Sequence, residues 1–69
     1  MLRLGKMTDY ATVILTFMAK NQTQVYAALE ISTATGIALP SVSKILKVLL
    51  KAKVLSSIRG AKGGYALVQ

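Results

Sequence analysis

The sequence predicts a single small domain over residues 1–69 that is mainly α-helical, with three helices followed by a small β-hairpin. A length of 69 residues allows one core, and a hydrophobic content of 54% excludes a disordered chain. Apolar residues recur at the helical period up to about residue 52 and alternate weakly after it. Because so short a chain buries only about 60% of its unfolded surface, we expect a small core and a partner subunit.

The first helix is predicted to begin at Thr8 and to end near Lys20. The Thr8 hydroxyl suits an N-cap, and Asp9 adds negative charge at the positive end of the helix dipole. A buried stripe at helical spacing is expected along this helix: Tyr10, Val13, Ile14, Phe17 and Met18.

A polar connector and a short extended segment at residues 25–26 separate the first helix from a second helix over residues 28–35. Leu29 and Ile31 are predicted to supply the apolar contacts of the second helix. Gly36 marks its end, because glycine tolerates the positive φ that follows many helices.

The third helix, predicted from Pro40 to about residue 52, is strongly amphipathic. Its apolar seam consists of Val42, Ile45, Leu46 and Leu49. The opposite face carries the lysine row, which consists of Lys44, Lys47 and Lys51 and has Pro40 at its N-terminal end. Proline suits the first turn of a helix, where its missing N–H costs nothing. Ser41 and Ser43 flank the row and can donate hydrogen bonds.

A cationic, glycine-rich hairpin is predicted to follow the third helix. Residues 54–58 and 65–68 are compatible with strands, and Tyr65 and Leu67 share one face of the second strand. The loop between them, residues 59–64, contains three glycines and two cations. This composition is typical of a tight, exposed turn.

The charge of the chain indicates a polyanionic partner. Nine lysines and arginines face only Asp9 and Glu30, which gives a formal net charge of +7, and nucleic acid is the first candidate. If the charge is considered by itself, a basic surface that only contacts solvent explains it equally well.

The chain has no cysteine and no histidine, so it lacks most catalytic constellations and we predict that it is not an enzyme. Its uncharged stretches are too short to span a bilayer, and we expect a cytoplasmic protein.

The order helix, helix, helix, hairpin predicts a winged helix-turn-helix. In this fold the third helix enters the major groove of double-stranded DNA, and the hairpin, or wing, contacts the adjacent minor groove. Glycines let the wing approach the duplex closely, and an arginine can enter a narrow A·T-rich minor groove. The candidate DNA-binding residues are Pro40, Ser41, Ser43, Lys44, Lys47, Lys51, Arg59, Gly60 and Lys62. Among them Lys47, Lys51 and Lys62 suit phosphate contacts.

Three stretches of the chain match the pattern of a known family: residues 3–4 with 8–11, residues 30–49, and residues 57–67. They resemble the opening, the helix-turn-helix and the wing of the IscR/NsrR-type winged-helix transcriptional regulators, in particular the SUF iron–sulfur assembly regulators. The wing is the most specific of the three. The resemblance implies that Arg59 is the minor-groove arginine and that Ser43 and Lys44 read bases.

The resemblance also implies a homodimer and, in longer members, an iron–sulfur cluster. Those members continue into a dimerisation helix and a loop whose three cysteines hold the cluster. This chain has no cysteine, so we expect no cofactor in it, and we interpret it as a fragment of a longer regulator or a naturally short member. Asp9 matches an acidic cluster ligand of one branch, although a favourable charge at a helix N-terminus is the simpler explanation.

We therefore predict a bacterial, nucleoid-associated transcriptional regulator that binds double-stranded DNA as a homodimer and acts as a repressor or dual regulator of iron–sulfur or redox-related genes. The alternative from another class is a winged-helix protein-interaction module with an acidic partner. Such modules more often expose aromatic anchors, and only Tyr26 and Tyr65 are expected to be available. RNA binding ranks lower, because no exposed aromatic platform for stacking bases is evident.

Overall fold

The computed structural model describes residues 5–60 and 63–68. The elements are, in chain order, α1 (Lys6–Ala19), α2 (Ala28–Thr35), α3 (Leu39–Lys51), β1 (Leu55–Ile58) and β2 (Gly64–Leu67). The two strands pair antiparallel. The predicted fold class, three helices plus a two-stranded antiparallel hairpin, is confirmed. Within the described ranges, no helix is by itself long and apolar enough to cross a membrane.

Helix α1 begins at Lys6, before the predicted start at Thr8. Thr8 is not the N-cap: that position is Gly5, and no side chain caps the helix. The Gly5 carbonyl accepts a hydrogen bond from the Asp9 N–H at 3.1 Å. The helical hydrogen bonds therefore begin before Thr8, which lies inside the first turn. The Thr8 carbonyl in turn accepts a hydrogen bond from the Thr12 hydroxyl at 3.0 Å. Asp9 lies in the first turn, as predicted.

The buried stripe of α1 is narrower than predicted. Ile14 and Met18 are fully buried and Phe17 is half-buried, with its ring centroid 4.9 Å from that of Tyr26. Val13 is 46% exposed, so its predicted place in the core is wrong. The helical period identifies the apolar side of α1, but only the arc that meets α2, α3 and β2 is covered.

Helix α2 has the predicted bounds but a different apolar contact. Ile31 is fully buried, whereas Leu29 is 64% exposed and does not pack in the core. The helix has only eight residues, and the face that carries Ile31 is the one that meets the core. At its start the Glu30 carboxylate accepts a hydrogen bond from the Ala27 N–H at 3.3 Å, which satisfies one of the free amides at the helix N-terminus.

Helix α3 supplies more buried core residues than any other element. Its predicted seam of Val42, Ile45, Leu46 and Leu49 is buried in full. The helix begins at Leu39, one residue earlier than predicted, and Pro40 lies in the first turn, where no intrahelical bond to its nitrogen is needed. The remaining buried residues are Ile14, Met18, Tyr26, Ile31, Ile37 and Leu55. Tyr26 is only 5% exposed, so the expectation that it is available as a surface anchor is wrong.

A residue in the left-handed conformation that is not glycine follows the C-terminus of α3. Lys53 has a φ of 63°. Its N–H donates to the Leu50 carbonyl at 3.0 Å, and the Val54 N–H donates to the Leu49 carbonyl at 3.0 Å. These two bonds form a Schellman motif, in which glycine is the usual residue at the left-handed position.

Replacing Lys53 with glycine is therefore expected to raise the free energy of unfolding by about 0.5–1 kcal/mol. The left-handed conformation costs an L-residue about 1–2 kcal/mol, and glycine removes this cost. Glycine also gives the unfolded chain more conformational freedom, which offsets part of the gain. Urea unfolding measures the change. The control is Lys47→Gly, at an exposed position in the interior of α3, which should lower the stability by about 1 kcal/mol. A Lys53→Gly protein less stable than the parent would contradict the strain at this position.

Candidate nucleic-acid interface

The turn between α2 and α3 sets the direction of α3. Gly36 adopts a left-handed conformation with φ 76° and ψ 8°, and its N–H donates to the Ser32 carbonyl at 2.9 Å. The predicted helix stop at Gly36 is confirmed. The chain direction changes by 119° between the two helices, which is within the range of helix-turn-helix units.

Two hydroxyl side chains of α2 hold this turn. The Ser32 hydroxyl donates to the Ile37 carbonyl at 2.6 Å. The Thr35 hydroxyl donates to the Ile31 carbonyl at 2.7 Å and accepts from the Ile37 N–H at 3.3 Å. Ile37 itself is 7% exposed, so the hydroxyls satisfy the backbone of a buried turn residue. Neither Ser32 nor Thr35 was predicted to have this role; the signal in the sequence is a pair of hydroxyl side chains close before the glycine that ends a helix.

Ser32→Ala is expected to lower the free energy of unfolding by about 1–2 kcal/mol, because the carbonyl of the buried residue Ile37 loses its hydrogen-bond donor. Thr33→Ala is the matched control, since Thr33 is an exposed hydroxyl residue on the same helix and should change stability by less than about 0.5 kcal/mol. Both are measured by urea unfolding. Equal effects of the two substitutions would show that the Ser32 bond does not stabilise the turn.

The exposed side of α3 is mainly cationic and polar, and Val48 is an exposed apolar residue beside the lysine row. Lys44, Lys47 and Lys51 are exposed, Pro40 is exposed at the N-terminal end of the row, and Ser41 and Ser43 are half-buried beside it. At the helical rise, the lysine row extends over about 10 Å. The buried seam on the opposite face holds α3 against α1, α2 and β1, so the row is carried on a rigid element.

The N-terminus of α3 has no negative charge to offset its dipole. Asp9 and Glu30 occupy the first turns of α1 and α2, whereas α3 has no acidic residue in its first turn. Its N-cap is Ala38, and no side chain caps the free amides. The positive end of the dipole therefore adds to the charge of the lysine row, an arrangement that suits a phosphate or another anion.

The wing is attached to the domain body by a third extended segment. Tyr26 and Tyr65 form an antiparallel bridge in which each N–H donates to the other's carbonyl at 2.8 Å. This bridge confirms the short extended segment predicted at residues 25–26. Within the hairpin, Leu55 pairs with Leu67. The hairpin is thus fixed at its base as well as paired along its length.

Arg59 and Gly60 form the start of the wing loop, directly after β1. Both are exposed, and Gly60 has a φ of 125°, which L side chains rarely adopt. The Gly63 N–H donates a hydrogen bond to the Gly60 carbonyl at 3.0 Å. Lys62, the remaining predicted loop contact, lies outside the described residues together with Ala61.

Gly64 does not belong to the loop, contrary to the prediction. It is the first residue of β2 and pairs with Ile58. A Cβ at this position would collide with the carbonyl oxygen and carbon of Tyr26. The glycine is therefore required by the close approach of two backbone segments inside the protein. Tyr65 and Leu67 are half-buried and pack against the core, as expected for one face of the strand.

The described site candidates fall into two groups. Six of them, from Pro40 to Lys51, lie on α3, and Arg59 and Gly60 directly follow β1. Helix α3 packs directly on β1, so one small body carries both groups. Asp9 is exposed in the first turn of α1.

The residues of this chain do not by themselves fit an iron–sulfur cluster. Such clusters are held mainly by cysteine thiolates, with histidine in some centres, and the chain has neither residue type. Its two carboxylates lie at the N-termini of two different helices. Within residues 5–60 and 63–68, no group of three or more histidine, cysteine or acidic side chains could hold a metal ion.

Three helices, a turn of 119° before an amphipathic third helix, and a hairpin anchored at its base define a winged helix-turn-helix protein. The chain belongs to the Rrf2 family: the family model described as "Iron-dependent Transcriptional regulator" matches residues 4–69. The resemblance predicted from the sequence is confirmed at the level of this family, which consists of transcriptional regulators.

Solved structures of regulators are similar over nearly the whole chain. IscR of T. potens is 26% identical, with a TM-score of 0.89 over 99% of this chain and 50% of that one. CymR (YrzC), the global cysteine regulator of B. subtilis, is also 26% identical, with a TM-score of 0.89 over 97% of this chain and 53% of that one. A protein from Lactobacillus plantarum, 23% identical with a TM-score of 0.77 over 93% of this chain and 44% of that one, supports the fold alone.

The chain spans about half the length of these three proteins. The comparison with curated proteins gave no match.

Proposed function

We propose that this chain binds double-stranded DNA sequence-specifically as the DNA-binding part of a transcriptional regulator, with α3 in the major groove and the wing in the adjacent minor groove. The observation that carries the proposal is the face of α3. It combines three exposed lysines with an uncompensated helix N-terminus, opposite a fully buried seam. Membership of a family of transcriptional regulators supports the same conclusion.

The residues divide into base-reading and phosphate-binding groups. Ser41, Ser43 and Lys44 lie on the first two turns of α3, the part of a recognition helix that reaches base edges. Lys47 and Lys51 lie further along the row and contact phosphates. The wing contributes three further residues: Arg59 in the minor groove, Gly60 at the closest approach to the duplex, and Lys62 on a phosphate.

Fluorescence anisotropy on labelled duplexes tests the proposal. The chain is titrated into an A·T-rich palindromic promoter fragment and into a scrambled fragment of the same composition, from low to moderate salt. A preference for one duplex that survives rising salt is expected, because base contacts, unlike counterion release, depend on sequence. Equal binding to both duplexes that vanishes with salt would reduce the interaction to the net charge of +7.

Lys47→Ala and Lys51→Ala should each weaken binding almost uniformly across sequences and lower the slope of log Kd against log salt by about one unit. The matched control is Lys20→Ala, which removes an exposed lysine at the C-terminal end of α1 and should leave the slope almost unchanged. If all three substitutions lowered the slope equally, the lysine row would have no special part in binding.

For the full regulator we further propose a homodimer, a repressor role, and iron–sulfur or redox-related target genes, in the bacterial cytoplasm at the nucleoid. The printed family description, an iron-dependent regulator, supports the link to iron. A two-fold dimer would place two copies of α3 in half-sites about one helical turn apart. A cluster would need cysteines from outside this chain, and Asp9 is the residue of this chain that could add a ligand.

The alternative function, a protein-interaction module, is weakened because Tyr26 is buried and cannot serve as an exposed anchor.

A further inference from the structure

The N-terminal tip of α3 is apolar and exposed. This apolar tip consists of Ala38, Leu39 and Pro40; Ala38 and Pro40 are exposed, and Leu39 is 40% exposed. None of the three belongs to the buried core. The tip directly precedes the residues of the lysine row, and the other exposed large apolar side chain of α3 is that of Val48, two turns further along the helix.

The side chains of the apolar tip cannot hydrogen-bond to a base. Alanine, leucine and proline side chains carry no donor or acceptor, and the Pro40 nitrogen has no hydrogen. The first side chain of α3 that can hydrogen-bond is that of Ser41. In the major groove, the feature that an apolar group can recognise is the C5-methyl group of thymine, since every other distinguishing group there is a donor or an acceptor.

We propose that the apolar tip of α3 is a specificity determinant that reads a thymine methyl group in the major groove. The inference rests on the proposed function, because it assumes that α3 enters that groove. The first residues of a recognition helix are those that contact base edges, and the apolar tip occupies this position. Ser41, Ser43 and Lys44 then read the neighbouring base pairs by hydrogen bonds.

The experiment begins with the intact chain and a library of random duplexes, from which bound sequences are selected. In the selected duplex each thymine is replaced in turn by deoxyuridine, which keeps the Watson–Crick pair and removes only the methyl group. At one thymine per half-site, the Kd is expected to rise about fourfold, the effect of losing one buried methyl contact. Deoxyuridine at the other positions should change the Kd by less than twofold.

Substitution of the tip identifies the protein side of the contact. For Pro40→Ser, the Kd values for the thymine duplex and for the duplex with deoxyuridine at that position should be almost equal. The matched control is Leu29→Ser, which replaces an exposed apolar residue of α2 and should retain the fourfold discrimination. If circular dichroism shows that Pro40→Ser is not folded, Ala38→Ser is measured in its place, and it should at least halve the discrimination.

The possible failures are distinguishable. Selection that returns no consensus sequence overturns the proposed function, and this inference with it. A consensus in which no deoxyuridine raises the Kd by more than twofold overturns the inference alone. Discrimination that persists unchanged in the folded tip variant also overturns it, because the methyl group would then be read by another part of the protein.

Discussion

Arg59→Ala is expected to weaken binding to a duplex with a narrow A·T-rich minor groove by about tenfold to a hundredfold. Arg59 follows the last residue of β1 and is exposed, and the wing that carries it is fixed through the bridge between Tyr26 and Tyr65. A narrow minor groove concentrates negative potential, which favours an inserted guanidinium. Loss of such a contact should reduce the binding free energy by about 1–3 kcal/mol, the range for a specific contact between a side chain and a base.

Two comparisons separate this role from a simple charge effect. Arg59→Lys keeps the charge but loses the planar, weakly hydrated guanidinium, so it should recover only part of the affinity. A duplex of equal length with a G·C-rich, wider minor groove should show a loss of less than about fivefold for Arg59→Ala. Anisotropy measures all Kd values at one salt concentration. Equal losses on both duplexes would make Arg59 a phosphate contact.

Gly64→Val is expected to destabilise the protein by at least about 2–3 kcal/mol, a large part of the stability of so small a domain. A side chain at this position meets the carbonyl group of Tyr26, which is backbone and cannot rotate away. Moving β2 aside would break the two 2.8 Å hydrogen bonds between Tyr26 and Tyr65. The wing would then lose its anchor, and specific DNA binding should fall together with stability.

The matched control for Gly64→Val is Gly60→Ala. Gly60 also requires glycine, because of its φ of 125°, but an added Cβ there meets nothing within 4 Å. We therefore expect a loss of about 1–2 kcal/mol from backbone strain alone. Urea unfolding measures both variants. If Gly64→Val were no more destabilising than Gly60→Ala, the close contact with Tyr26 would not contribute to the stability of the wing.

The candidate site was largely predictable by residue type. The lysine row, the apolar seam and the glycine-rich loop are visible from spacing along the chain, because each is a local pattern with a period set by the helix or the turn. Whether these residues contact DNA stays a prediction. The hydroxyl of Ser32 was not predicted, since serine near a helix end bonds to many alternative backbone groups and only the path of the turn selects the Ile37 carbonyl.

By itself the sequence determined the order of the elements, the bounds of α2, the helix stop at Gly36 and the buried face of α3. These features depend on interactions within one or two helical turns, so a local pattern is sufficient.

Only the tertiary structure decided which apolar residues the neighbouring elements cover. Val13 and Leu29 are exposed and Tyr26 is buried, because burial depends on which elements lie opposite. It also decided the role of Gly64, whose need for glycine comes from Tyr26, a residue distant along the chain. Contacts between distant segments form only when the whole domain closes, and no spacing along the sequence encodes them.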